Sequence, residues 1–240
     1  YKSFNNIKDS IIILKDALNY HLYHEELSIA LAQIEPNINI SIKVLKSAIQ
    51  HQSTSRLYMK LICIYRLHYP KLVQETCEKA LTIYKNAYKI WLIYIQSYDT
   101  IEIKRNIYKK ALKINKNHLI LYYNYIKDEL LYKEYDRART ICTHIISTFI
   151  IDKKNEELQG MIYLLYIKIE FMSNNNTNTN FLLEKALQLY PCHGLLWSYC
   201  IAISNKHLQK VKIQQALQCN PHGNIYIYCT IAKVFYHKKK

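Results

Sequence analysis

The chain has 240 residues, half of them hydrophobic, with three glycines, four prolines and a formal net charge of +15. This hydrophobic content excludes a disordered chain, and no apolar stretch reaches the length of a membrane-spanning helix. Sheet proteins need many tight turns, and the scarcity of glycine and proline argues against them. We therefore expect an all-α fold of helices joined by short loops.

The positive charge has two interpretations. Lysine is abundant together with Asn, Ile and Tyr, whose codons are all rich in A and T, so compositional drift would raise the charge without a functional reason. A basic face that contacts RNA is the alternative. The cationic residues are scattered along the chain. Both interpretations stay open, and the RNA contact that we expect is indirect or weak.

One short sequence occurs twice in the chain. Residues 78–91 are EKALTIYKNAYKIW and residues 184–197 are EKALQLYPCHGLLW, with six of fourteen positions identical. Its Ala-Leu pair, which we call the anchor, recurs in looser copies at spacings of 31, 32, 31, 34, 41 and 30 residues. The anchors begin at Ala17, Ala48, Ala80, Ala111, Ile145, Ala186 and Ala216.

A large aromatic residue follows four of these anchors by ten or eleven positions. These residues are Tyr58, Trp91, Tyr122 and Trp197. A period near 32 residues holds two helices of 12–14 residues, and it is too short for HEAT repeats of about 40–47 residues. We predict that each anchor lets neighbouring helices approach closely and that each ring fills the space between successive repeats.

The pattern thus predicts a right-handed α-solenoid of antiparallel helix pairs, a single array of about seven repeats over residues 1–240. The insert SNNNTNTN (173–180) accounts for the longest anchor spacing and is predicted to be a disordered loop. The predicted helices lie near residues 7–20, 22–33, 37–50, 54–68, 70–84, 87–98, 99–114, 117–131, 134–149, 156–172, 180–190, 194–204, 206–219 and 224–237.

In this frame the chain begins with the second helix of a repeat and ends with the first helix of another. We therefore expect the array to continue beyond this chain, and the last helix to expose one apolar face. That face comprises Ile225, Tyr228, Cys229, Ala232 and Phe235.

The repeat around residues 122–141 resembles the half-a-tetratricopeptide (HAT) repeat. That repeat has aromatic and acidic residues in its first helix, as in Tyr122-Tyr123-Asn124-Tyr125-Ile126-Lys127-Asp128-Glu129. Its second helix carries arginine before the anchor, as in Asp136-Arg137-Ala138-Arg139-Thr140-Ile141. The resemblance implies packing roles for Arg137 and Arg139.

Two longer stretches, residues 55–91 and 181–240, resemble the C-terminal repeats of the pre-mRNA-processing factor six family. The closest local matches are Ala186-Leu187, Pro191, Gly194, Leu196-Trp197, Ala216-Leu217, Cys219, Pro221-His222, Ala232-Lys233 and Phe235. Three positions depart from the family, because Tyr199 and Asn220 stand where it has acidic residues and Tyr236 where it has tryptophan.

This resemblance implies a nuclear, non-enzymatic scaffold of pre-mRNA splicing that bridges snRNP proteins within the spliceosomal tri-snRNP. One alternative is another HAT scaffold of RNA processing, in ribosomal RNA maturation or mRNA 3′-end cleavage. A second alternative is a tetratricopeptide-type adaptor, whose groove would aim basic residues at a peptide carboxylate. We predict no membrane partner and no small-molecule substrate.

Residue types that bind zinc follow two successive anchors, as Cys192-His193 and Cys219…His222. We interpret the two histidines as exposed loop residues and predict no metal, cofactor or catalytic residue. The cysteines number seven and no pair has Cys-x-x-Cys spacing. This usage is typical of a reducing compartment, where cysteine serves as a small hydrophobic residue.

Overall fold

A computed structural model of the chain describes residues 6–148 and 155–238. Within those ranges the chain is all-helical, with 82% of residues in helices and no strand, which confirms the predicted all-α class. The helices are α1 (Asn6–Tyr20), α2 (Glu25–Ile34), α3 (Ile38–His51), α4 (Ser55–His68), α5 (Val73–Ile83), α6 (Tyr88–Gln96), α7 (Ile101–Ile114), α8 (Leu119–Leu131), α9 (Tyr135–Thr148), α10 (Glu156–Met172), α11 (Asn176–Leu189), α12 (Gly194–Ile203), α13 (Lys206–Cys219) and α14 (Ile225–Lys238).

These fourteen helices correspond one to one with the predicted ones, and two of them, α2 and α5, begin three residues later than expected. Residues 70–72 form a short 3-10 turn ahead of α5, where Pro70 supplies no backbone N–H. Before α2, Tyr23 has a left-handed backbone with φ 61°. That conformation interrupts a helix, so α2 begins at Glu25.

The chain divides into two compact units, Tyr1–Lys116 with α1–α7 and Asn117–Lys240 with α8–α14. In the first unit each helix packs against the next along the chain, and α2 also contacts α4. The core is aliphatic with a few aromatic and sulfur-containing side chains. Its most buried members include Leu31, Leu45, Leu57, Ile62, Cys77, Ile90 and Ile95.

The second unit has the same neighbour packing and a clearer division into layers. Helices α8, α10, α12 and α14 contact one another in succession and form one layer, and α9, α11 and α13 pack alongside it. This alternation is expected of stacked helix pairs, because each pair buries its apolar face only against its neighbours. Helix α10 is the most buried element, with nine residues in the core.

The prediction of a disordered loop over residues 173–180 is wrong for the second half of that segment, because α11 begins at Asn176. The oxygen of the Asn175 side chain accepts the backbone N–H of Asn178 at 3.4 Å and so caps the helix. Thr179 is buried, and its hydroxyl donates to the Asn175 carbonyl at 2.8 Å. Asparagine and threonine are good capping residues, and here they start a helix.

Helix α14 exposes the face predicted for it, since Ile225, Tyr228, Cys229, Ala232 and Phe235 are all exposed. Its buried contact comes from Ile227, which packs with Trp197, Ile201 and Ala216. Among the described residues, no helix has both the length and the apolar character that crossing a bilayer requires.

Candidate functional site

The anchor alanines lie at equivalent places in the structure. Ala48, Ala80, Ala111, Ala186 and Ala216 are each 0% exposed. Each is in the last turn of the second helix of a repeat, where its carbonyl accepts the N–H four residues later at 2.8–3.1 Å. The degenerate anchor Ile145 is also buried. Ala17 in α1 is only half-buried. The other anchors therefore form the tightly packed ends of successive second helices.

The two tryptophans repeat one local geometry. Trp91 donates its indole N–H to the Lys85 carbonyl at 2.8 Å, and Trp197 donates to the Pro191 carbonyl at 2.6 Å. Both acceptors lie six residues before the ring, and both rings are buried. The indole thus fills the space beside the loop and also satisfies a loop carbonyl, which fixes the turn between two helices.

The predicted packing tyrosines lie at the edge of the core. Tyr58 and Tyr122 are both half-buried. Tyr58 contacts the ring of Tyr84 edge-on, with centroids 6.1 Å apart, and Tyr122 lies 6.3 Å from the ring of His144. Burial raises the pKa of the Tyr122 hydroxyl.

Arg139 on α9 holds an ion pair across two successive helix pairs. Its Nε donates to Oε1 of Glu170 on α10 at 2.6 Å, and its Nη1 donates to Asp136 at 2.6 Å. Hydrogen bonding to Glu170 raises the pKa of the Arg139 guanidinium.

Arg137, two residues away, is exposed. The packing role expected for Arg137 is wrong, because its position on α9 faces solvent.

Glu170 is completely buried, and both of its carboxylate oxygens have donors. Oε1 accepts from Arg139, and Oε2 accepts from the Asn175 side chain at 2.9 Å. The Asn175 backbone N–H also donates to the Glu170 carbonyl at 2.9 Å. A buried carboxylate is tolerable only with such partners, so this network fixes the junction of α10 and α11.

Glu129 of α8 occupies the position in its repeat that Glu170 occupies in α10. It is also fully buried, and its carbonyl accepts the Glu134 N–H at 3.0 Å. In both turns the fourth residue after the glutamate is left-handed, with φ 59° at Lys133 and 57° at Asn174. The buried glutamate and its turn are therefore a second repeated element of the fold.

His193 is buried, contrary to the exposed loop histidine predicted there. Its Nδ1 accepts the Leu196 N–H at 3.3 Å and so caps α12, and its Nε2 lies 3.2 Å from the Glu157 carbonyl. With Nδ1 as the acceptor of the Leu196 N–H, Nε2 is the ring nitrogen that faces α10, and it also lies 3.6 Å from Oε1 of Glu157. The ring packs on Gly160 of α10, where an added Cβ would overlap the imidazole.

A groove of about 510 Å³ opens in the second unit among α10, α12, α14 and the start of α13. Its apolar lining comes from Leu164, Leu195, Ala202 and Val234. Three amino groups line it as well, from Lys168, Lys206 and Lys233. Among the residues that the structure describes, no carboxylate lines this groove. We call it the lysine groove.

The lysine groove has a polar strip on one side. Ser198 of α12 and Thr230 of α14 share a hydrogen bond of 2.6 Å between their hydroxyl oxygens. The amino group of Lys168 lies 5.8 Å from the centre of the Tyr199 ring, a cation–π contact. Lys206 and Lys233 are exposed. The groove therefore combines aliphatic contact area, two hydroxyls and three cations.

A smaller groove of about 420 Å³ lies on α2, α4 and α6 of the first unit. Its cations are Arg56, Lys60 and Lys89. Arg56 is already paired with Glu25 at 3.2 Å and with Glu26 at 3.7 Å. Part of its charge is thus neutralised within the chain, in contrast to the lysine groove.

The structure describes all seven cysteines, and each is a free thiol. Cys77, Cys142 and Cys200 are buried as small hydrophobic residues, and burial raises the pKa of each, to about 12 for Cys77. Within the described ranges, no group of three or more His, Cys, Asp or Glu side chains could hold a metal ion.

Three structural features were missed by sequence reasoning. Glu170 interrupts an apolar run, MIYLLYIKIEFM (161–172), and a lone acid in such a run indicates a buried, partnered carboxylate. His193 precedes a glycine at a helix start, which is a weaker signal of a cap. The lysines of the groove carry no signal, because any exposed helix position accepts lysine.

Comparison with known protein families gave no match, and comparison with curated proteins gave none either. The helical-repeat architecture therefore stands on the geometry described above.

Proposed function

We propose that this chain is a non-enzymatic scaffold of pre-mRNA splicing, which bridges snRNP proteins within the spliceosomal tri-snRNP in the nucleus. The observation that carries the proposal is the repeated anchor and tryptophan geometry. It falls in residues 55–91 and 181–240, the stretches that resemble the pre-mRNA-processing factor six family. In both stretches the indole N–H bonds to a carbonyl six residues earlier.

In this proposal the helix pairs wind into a right-handed solenoid of HAT repeats, and the outer helix surfaces are what the scaffold offers to its partners. Such surfaces bind through many modest contacts spread over a large area, which suits the holding of several proteins. The buried ion pair of Arg139 and Glu170 supports this role, because it locks adjacent helix pairs into a fixed arrangement.

The test is an affinity purification of the full-length protein from nuclear extract, washed at low and at high salt, with bound proteins and RNAs identified. We expect tri-snRNP proteins and their small nuclear RNAs at both salt concentrations, since contacts between folded proteins depend less on salt than phosphate contacts do. The tag alone, expressed at the same level, is the control.

Two outcomes would contradict the proposal. Recovery of chaperones or ribosome precursors without splicing components would leave a repeat scaffold of another process. Loss of all bound material at high salt would indicate that the +15 charge holds RNA through its phosphates.

A further inference from the structure

We infer that the lysine groove is a docking site for an acidic, amphipathic segment of a partner protein. This inference rests on the scaffold function proposed above and identifies where one partner binds. It concerns only the second unit, whose helices α10, α12, α13 and α14 line the groove.

The charge of the groove determines the sign of its partner. Lys168, Lys206 and Lys233 surround one opening, and in the described part of the chain no carboxylate lines it. Three like charges around one opening repel each other, and an acidic ligand relieves that repulsion. Lys206 and Lys233 are exposed, so their amino groups can turn toward an occupant without leaving a packed position.

The apolar lining makes a polypeptide the better occupant than a nucleic acid. Leu164, Leu195 and Val234 offer aliphatic contact area, which matches leucine or phenylalanine side chains. Single-stranded RNA is instead held by open aromatic faces and by arginine. Among the residues that the structure describes, one aromatic ring lines the groove, that of Tyr199. It is half-buried and has the Lys168 amino group over its face.

The size of the groove suits a short segment rather than a folded domain. Its volume of about 510 Å³ lies within the range of roughly 300–1,000 Å³ found for ligand pockets. Ser198 and Thr230 also line the groove. The Thr230 hydroxyl donates to the Tyr226 carbonyl at 3.0 Å and bonds to the Ser198 hydroxyl, so both oxygens keep lone pairs that can accept a backbone N–H of an extended chain. A segment that alternates acidic and bulky apolar residues would contact the lysines, the aliphatic residues and the two hydroxyls of the lining.

The test measures binding of three fluorescent probes to the full chain by anisotropy. The probes are a twelve-residue peptide of alternating glutamate and leucine or phenylalanine, the same peptide with glutamine for glutamate, and oligouridylate of equal charge. We expect the acidic peptide to bind at least about tenfold more tightly than the glutamine peptide and than the RNA.

Two pairs of variants locate the binding site. Lys206→Glu with Lys233→Glu should weaken acidic-peptide binding by roughly tenfold or more, because two attractions become repulsions. Lys127→Glu with Lys210→Glu makes the same charge change at exposed positions that do not line the groove, and should have little effect. Ala202→Trp should block the groove, while Ala232→Trp on the exposed face of α14 should not.

Circular dichroism and melting temperature must match the parent for each variant, and a lysine pair that fails this check is replaced by its two single substitutions. Equal loss of peptide binding in both lysine pairs would overturn the docking site. Tighter groove-dependent binding of the RNA would overturn the choice of a protein partner. Neither result changes what the affinity purification from nuclear extract is expected to recover. A wrong docking site can therefore be distinguished from a wrong scaffold function.

Discussion

Individual residues fix the junctions between helix pairs, and Arg139 is the clearest case. Its guanidinium reaches Glu170, a carboxylate that is 0% exposed. Removing one partner of a buried pair leaves the other charged and unsolvated, which costs more than the pair itself contributes. The two members are not equivalent, because the Arg139 side chain is 32% exposed and can be hydrated.

Arg139→Leu should lower the free energy of unfolding by about 3 kcal/mol or more, because the buried Glu170 carboxylate then loses its cationic partner. Glu170→Gln should be milder, since the guanidinium keeps Asp136 and water. Urea denaturation followed by circular dichroism measures both. The matched control is Arg137→Leu, an exposed arginine on the same helix, expected within about 0.5 kcal/mol of the parent. Equal effects at both arginines would refute the ion-pair role.

Gly160 makes room for the buried His193 ring. In most helices glycine to alanine stabilises by about 1 kcal/mol, but a Cβ here would overlap the imidazole. We expect Gly160→Ala to destabilise the protein by about 1–2 kcal/mol in thermal denaturation.

The His193→Ala background provides the control for Gly160. With the ring gone, Gly160→Ala should become neutral or stabilising, because only helix propensity then remains. Stabilisation by Gly160→Ala alone would show that the ring moves aside easily and that the contact does not constrain the junction.

At the scale of elements, the anchors set how closely helices approach. Ala80 is 0% exposed on α5, whereas Ala232 is exposed on α14. Ala80→Leu should destabilise by about 1–3 kcal/mol through overpacking, and Ala232→Leu should have little effect on urea denaturation. Similar results at the two positions would mean that the anchors tolerate larger side chains.

The start of α11 is the element that the sequence pattern described least well. Hydrogen exchange should show protected amides from Thr179 onward, since the Thr179 N–H donates to the Asn175 carbonyl at 3.0 Å. Asn175→Ala should cost about 2–3 kcal/mol and speed this exchange, because it removes both the cap and a hydrogen bond to the buried Glu170 carboxylate. Asn176→Ala, exposed in the first turn, is the control. Full exchange of residues 179–183 within seconds in the parent would restore the loop prediction.

All fourteen helices of the described ranges could be predicted from the sequence, because the anchor recurs along the chain and an aromatic residue follows four of its copies. It failed where side chains from distant segments decide the outcome. Residues 173–180 have the composition of a loop, but their second half is helical. The Asn175 side chain is held in place by its hydrogen bond to the buried Glu170 carboxylate, and its oxygen caps the first turn of α11. The lysine groove could not be predicted, because Lys168 and Lys233 lie 65 residues apart in the chain.

At the scale of the whole molecule, burial divides the cysteines into two classes. Cys63, Cys192 and Cys229 are exposed, whereas Cys77, Cys142 and Cys200 are buried with raised pKa values. Cys219 lies between the two classes and is half-buried. The thiolate is the reactive form, so a thiol that keeps its proton reacts slowly.

An alkylating reagent at about pH 8 should therefore modify Cys63, Cys192 and Cys229 within minutes, and the three buried thiols only after denaturant is added. Peptide mass spectrometry over a time course measures each site separately. Comparable native rates at Cys77 and Cys63 would show that the first unit opens readily, against the packing described for α5.

We have proposed that this chain holds splicing proteins together through its helix surfaces. Lysine cross-linking with mass spectrometry on the affinity-purified, high-salt-washed assembly tests that proposal most directly. We predict cross-links from lysines on several helices of this chain to lysines of tri-snRNP proteins, because such a scaffold binds through many contacts over a large area. Cross-links confined to RNA-binding proteins of another process would contradict the proposed function.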